Sequence, residues 1–341
     1  MRLGYGLITC QRPPDDPRTD ADLYNEAVER CVAAERVGFD SVWVSEHHFV
    51  DDGYMPSLLV MAAAIAHATE RVEIGTGVLL APLHHPLRIA EDAATVDLIS
   101  GGRFILGIGA GWRPEEFDVF GVDQAERASR MRETVAVLRG AWEPGTFGFS
   151  GKHFSFADVN VTPKPARSIP IWLGGFAPPA IRRAGRIGDG FLGSSTGTSG
   201  IAAFAQAREM ALEALGKAER DPSSFTFALH VPVFAGESGD PWETVKPYYQ
   251  YLRWKYPDMG SARGSAASSA PPPLDAATEE QLRASIICGR PDEVAAQIAQ
   301  FRDGIDPDIH FICRSDFPGM PQDLQLETIE LLGTKVLPSL R

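Results

Sequence analysis

Short runs of branched and aromatic residues recur along this chain, each followed by a stretch with helical spacing, and that alternation constrains the fold more than any other feature. "RLGYGLI" at residue 2 opens the series, and residues 41–48, "RVEIGTGVLL", "GGRFILGIGAG", "IPIWLGG", "DGFLGSS", "FTFALHVPVFAG" and "DIHFICRS" continue it. Between them lie apolar residues at helical spacing, as in "LLVMAAAIAHAT", "HPLRIAEDAATVDLIS", residues 126–142, "PPAIRRAGRIG" and "RPDEVAAQIAQFRDG". Parallel strands need crossover helices, and eight such units close naturally into a (β/α)8 TIM barrel; an open doubly wound sheet has the same rhythm. The expected organisation is one domain over residues 1–341. An inserted hairpin (147–166) precedes strand five. A long insertion (237–285) precedes strand eight, and its "GSARGSAASSAPPPLD" reads as a mobile loop.

Charge narrows the partners. With 45 acidic against 32 basic side chains, the formal net charge is -13, and its field repels nucleic acids and anionic membranes. Small molecules are the expected ligands. No apolar run approaches membrane-spanning length, and the N-terminus reads as a strand, not a signal peptide. Cys10, Cys31, Cys288 and Cys313 have no zinc spacing and fit reduced thiols in a cytoplasmic protein.

In a barrel the active site lies at the C-terminal strand ends, and there strand two runs into "SEHHF". A carboxylate and two histidines at such a place can be a metal site, an acid/base site or a hydrogen-bonded corner. Strand parity turns Glu46 and His48 one way and His47 the other, which argues against a clamp made by adjacent histidines. His230 and His310 on strands seven and eight could complete a metal site in principle, and one histidine of the pair is expected to bond Glu46. His84 and His85 precede Pro86 and line a loop. Glycines cluster at other strand ends, in "GTGVLL", "GIGAG", "LGGFAPPA" and "DGFLGSSTGTSG", the last including Gly193 and Ser194. Such ends admit a flat ligand close to the backbone, and a helix starting at residues 177–179 would aim free amides at a phosphate.

"GFDSVWVSEHHF", "RVEIGTGVLLAPLHHPLRIAEDAATVDLISGGRFILGIGAGWRPEEFDVFGVD" and "PIWLGG…AGRIGDGFL" resemble the bacterial luciferase-like monooxygenases over nearly the whole chain. The resemblance implies reduced FMN supplied by a separate reductase, with O2 added through a C4a-peroxyflavin to oxidise a small organic substrate; in a sister branch F420 moves a hydride instead. It implies His47 as the catalytic histidine, with Glu46 positioning it. It places a bulge at Thr76, Gly77 and Val78, with a non-prolyl cis peptide between Gly77 and Val78. The strand-four end, Gly109 and Ala110, departs from bacterial luciferase, where a cysteine and a phosphate-binding arginine stand. After strand five Phe176, Ala177 and prolines replace the family's Ser/Thr residues. Phosphate contact is therefore expected from amides near Gly174, Gly175, Phe176 and Ala177, aided by Arg127. Phe49, Tyr54 and Trp112 are expected to line the pocket. Family resemblance also favours a homodimer or tetramer. A non-catalytic flavin-binding subunit and a metal hydrolase stand as alternatives.

Overall fold

Eight parallel strands close on themselves in chain order in the computed structural model, which describes residues 1–261 and 270–341. They are β1 (Arg2–Ile8), β2 (Ser41–Val44), β3 (Glu73–Thr76), β4 (Phe104–Gly109), β5 (Ile171–Gly174), β6 (Gly190–Ser194), β7 (Thr226–Ala235) and β8 (His310–Arg314). Each pairs with its successor, and β8 pairs with β1 to shut the ring. The closed TIM barrel is thus the expected fold, and the open sheet is excluded.

Alternation along each strand sorts side chains into two cores. Outward residues such as Leu3, Tyr5, Phe311 and Cys313 pack under the helices. Inward ones, Leu7, Trp43, Ile105, Trp172, Leu192, Ala228 and Ile312, plug the barrel. Trp43 stacks on Trp172 with centroids 5.3 Å apart, and the His310 ring meets both edge-on. Ser41 Oγ joins this floor, 2.7 Å from His310 Nε2 and accepting from the Trp43 indole N–H at 2.8 Å. Full burial of each aliphatic side chain in such a plug contributes about 1.5–3 kcal/mol.

The hairpin before β5 is present as an antiparallel pair, Phe147–Ser150 with Ser155–Val159. The insertion before β8 departs from the loop reading. It contains one helix, Pro241–Ser261, and a second, Ala276–Ala284, followed by a short strand, Ile287–Gly289, that extends the sheet beside β7. Trp242, Val245, Tyr249 and Leu252 fall at helical spacing and bury against Phe234, Phe317 and Met320, which gives this segment a core of its own. Part of the low-complexity stretch, residues 262–269, lies outside the described residues.

One further helix, Pro114–Phe120, was not legible as a separate element. It starts with Pro114 at its first position and ends on Gly121 in the left-handed region (φ 68°). It leads into Arg127–Trp142, the helix expected at residues 126–142. Among the described residues no helix is long and apolar enough to cross a membrane.

Candidate active site

The inward positions at the C-terminal strand ends form a mouth with two unlike walls. On β3, β4 and β5 the wall is glycine. A Cβ on Gly109 would lie 2.3 Å from Val78 Cγ2, one on Gly174 3.0 Å from Val78 Cγ1, and one on Gly77 2.7 Å from Leu7 Cδ2. These three glycines make room for the Val78 and Leu7 side chains and keep this wall of the mouth free of larger ones. The peptide between Gly77 and Val78 is cis, as expected, and Gly6–Leu7 is a second non-prolyl cis bond.

His47 stands at the end of β2. Its Nδ1 lies 2.8 Å from Glu116 Oε1, so the imidazole N–H donates to that carboxylate. Glu116 comes from the helix Pro114–Phe120, is fully buried, and also accepts the His48 backbone N–H at 2.9 Å. This corrects the expectation that Glu46 positions His47. The rings of Tyr54, Trp112 and Tyr256 meet the imidazole edge-on, with centroids 4.9, 5.8 and 6.0 Å away. Among the described residues His47 Nε2 has no hydrogen-bond partner. A buried carboxylate holding one ring nitrogen leaves the other to give or take a proton.

Glu46 faces the other way, as strand parity required. Its Oε1 accepts from His48 Nε2 at 2.6 Å and His84 Nε2 at 2.9 Å, while Oε2 accepts the Leu80 N–H at 2.7 Å. Burial acts to raise the Glu46 carboxyl, but the hydrogen bonds and charges of His48 and His84 prevail and draw its pKa down to about 2. The ligand-type atoms of Glu46, His48 and His84 all lie within 4.8 Å of one another, a set that could hold a metal ion. Their mutual hydrogen bonds satisfy them equally well. Neither histidine suggested to complete a metal site joins this set. His310 belongs to the barrel floor, and half-buried His230 faces the mouth beside Arg314, its pKa pushed down to about 3 by desolvation and then by that charge.

Arg113 binds this rim together and was missed in the sequence. Buried between segments, it donates to the carbonyls of His48, Phe49 and Met259 and pairs with Glu115. It thereby fastens the β2 end and the helix Pro241–Ser261 to the start of the helix carrying Glu116. A "RPEE" run signals only a helix start with acidic first-turn residues, so neither Arg113 nor Glu116 announces itself.

Other expected contacts fall in several places. Thr76 spends its hydroxyl on the Gly107 carbonyl at 2.7 Å. Gly193 faces outward, where a Cβ would lie 2.6 Å from the Phe204 ring, so it serves helix packing and not the mouth. Ser194 ends β6 on the inward side, and Ala110 packs against the outer core. Gly175 turns the chain with φ 153°, and the Phe176 side chain is exposed. The helix Pro178–Ile187 cannot aim a full set of amides at a phosphate. Pro178 and Pro179 have no N–H, and the N–H groups of Ala180 and Ile181 both donate to the Ala177 carbonyl. Any amide offered there comes from the turn at residues 175–177. Arg127 donates to the Gln124 carbonyl at 2.8 Å, and with Arg132 and Arg186 it surrounds buried Arg183, whose ionisation is lowered by burial and by these three charges.

Comparison with known proteins places this geometry. The family described as luciferase-like monooxygenase matches residues 1–306. An F420-dependent glucose-6-phosphate dehydrogenase of Amycolatopsis mediterranei is 35% identical over 202 residues, 57% of this chain and 58% of that protein. The oxygenase component of a flavin-dependent trigonelline monooxygenase of Acinetobacter baylyi is 32% identical over 175 residues, 50% of this chain and 48% of that protein. The chain thus spans about half the length of these two curated relatives. The monooxygenase RslO1 of Streptomyces bottropensis shares the fold, with a TM-score of 0.84 at 24% identity and 99% of each chain covered.

Proposed function

Because this chain belongs to the luciferase-like monooxygenase family, we propose that it is an oxidoreductase that depends on a flavin or on F420, and that it oxidises a small organic substrate with reduced FMN and O2. The observation that carries this reading is the His47–Glu116 pair at the edge of a glycine-walled mouth. When bound, the reduced flavin supplies the electrons and activates oxygen. The chain's own residues hold and shield it. Gly77, Gly109 and Gly174 keep the wall beside Val78 free of larger side chains for the ring, and the turn at residues 175–177 and Arg127 would take the phosphate end. Glu116 keeps the proton on His47 Nδ1, so that Nε2 exchanges a proton with substrate or cofactor. Tyr54, Trp112 and Tyr256 pack around that imidazole and exclude water from it. The printed name of the Acinetobacter relative, an oxygenase component, supports a separate reductase as the flavin source.

The second reading, hydride transfer with F420, is favoured by the Amycolatopsis relative and uses the same histidine and glycine wall. Anaerobic titration with reduced FMN and with reduced F420, followed by cofactor absorbance and then by oxygen uptake, separates the two. Preferential FMN binding with O2 consumption supports oxygenation. Preference for F420 without oxygen uptake assigns hydride transfer, and binding of neither cofactor defeats both.

A further inference from the structure

The wall facing the glycines carries a buried positive charge with no counter-ion among the described residues. Arg314 is the last residue of β8, and β8 stands opposite β4 in a ring of eight. His310 and Ile312, four and two positions earlier, both point into the barrel, so by strand alternation Arg314 points into its mouth. It is 8% exposed, and no carboxylate among the described residues pairs with it. Residues 262–269, "ARGSAASS", contain no Asp or Glu. Asp316, the nearest acid along the chain, is held by Arg30 at 3.1 Å. Of the other buried arginines, Arg30 and Arg113 each have a carboxylate partner, whereas Arg183, outside the mouth among Arg127, Arg132 and Arg186, has none among the described residues. What Arg314 touches is phenolic. One NH2 group donates to the Tyr256 hydroxyl at 3.2 Å, the guanidinium carbon lies 5.2 Å from the Tyr256 ring centroid, and Nε is buried without an acceptor.

We propose that Arg314, steadied by Tyr256, recognises a carboxylate on the substrate, so that this enzyme acts on small organic acids. The inference rests on the reading of the mouth as the site of chemistry. An unpaired buried charge is costly and is offset when a ligand brings the opposite one. The guanidinium edge offers paired N–H donors in the geometry that a carboxylate accepts. Tyr256 also bonds the Tyr54 hydroxyl at 3.2 Å, and both rings edge onto His47. One small molecule therefore reaches from Arg314 to the working imidazole, which fixes the carboxylate end and presents the rest to the chemistry.

Calorimetric titration of the full chain with three matched pairs, acetate and acetamide, benzoate and benzamide, phenylacetate and phenylacetamide, tests this without turnover. The expected result is at least one pair in which the carboxylate binds about tenfold or more tightly than its amide, a preference lost in Arg314→Gln and reduced in Tyr256→Phe. FMN affinity stays unchanged in both variants, and the Tm of Arg314→Gln is equal to or above that of the parent, since an uncompensated charge has been removed. Absence of a carboxylate preference in all three pairs overturns the proposal, as does a preference that survives Arg314→Gln. Loss of cofactor affinity in Arg314→Gln assigns the residue to the cofactor instead, and a fall in its Tm assigns it a structural role. Failure of the parent chain to bind any reduced cofactor is a separate result, which counts against the reading of the site and not against Arg314.

Discussion

Glu116 Oε1 lies 2.8 Å from His47 Nδ1, although 69 residues and two barrel strands separate them in the chain. A carboxylate in that position selects the tautomer and orientation of the ring. Glu116→Ala and His47→Ala are each expected to lower kcat by about 10²–10⁴, the range for a positioned acid/base group, with little change in cofactor affinity. Because the two act as one unit, the double variant should be no slower than the worse single one. Single-turnover rates measure this, and full activity in His47→Ala would remove the residue from the mechanism.

Stability should respond to pH through Glu46 and His84. The folded Glu46 pKa of about 2 lies below its ordinary 4.5, so its contribution is present above pH 4.5 and lost as pH falls towards 2. For His84 burial acts to lower the pKa, but the Glu46 hydrogen bond and charge win and raise it above 6.5. Its contribution is full below 6.5 and lost as pH rises through the folded value. The two overlap between pH 4.5 and 6.5. His84→Ala should therefore reduce Tm most inside that window, with the gap from the parent narrowing on both sides. A pH-independent gap would show that the pair is not linked in this way.

Gly109 should not tolerate a methyl group. Its Cβ would sit 2.3 Å from Val78 Cγ2, and overpacking of this kind costs about 1–3 kcal/mol. Gly109→Ala is expected to lower stability and weaken cofactor binding together, and Val78→Ala in the same chain should recover part of the stability. Denaturant titration and cofactor titration read the two effects separately.

The thiols should be slow to react. Burial is the leading cause that raises all four, with Cys10, Cys288 and Cys313 pushed up to about 12 and Cys31 raised as well. The thiolate is the reacting species, so little of it exists near pH 8. Native protein should show no rapid reaction with a disulfide reagent, and denatured protein should show four equivalents.

The barrel was legible because its signal is repeated eight times, and each strand end is marked by glycine or by a polar break. Parity also separated His47 from Glu46 and His48 correctly. The partner of His47 was not legible, since Glu116 becomes its neighbour only when the helix after β4 folds back across β3 to the end of β2. Glu46, adjacent in sequence, was the natural but wrong choice. The helix Pro241–Ser261 was obscured by Pro247, Pro257 and the low-complexity run after it, although its apolar stripe is regular. The two prolines after Ala177 were visible from the start, and their missing N–H groups already argued against a helix-terminus phosphate site.

Tyr256 enters the mouth from the segment between β7 and β8, whereas Gly77 directly follows β3 and Gly109 and Gly174 end β4 and β5. The two halves of the cavity thus come from separate stretches of chain, joined across the rim by Arg113. Exchange of residues 237–285 for another segment would reshape what the mouth accepts while leaving its glycine wall in place, provided the new segment still offers Arg113 a carbonyl to hold.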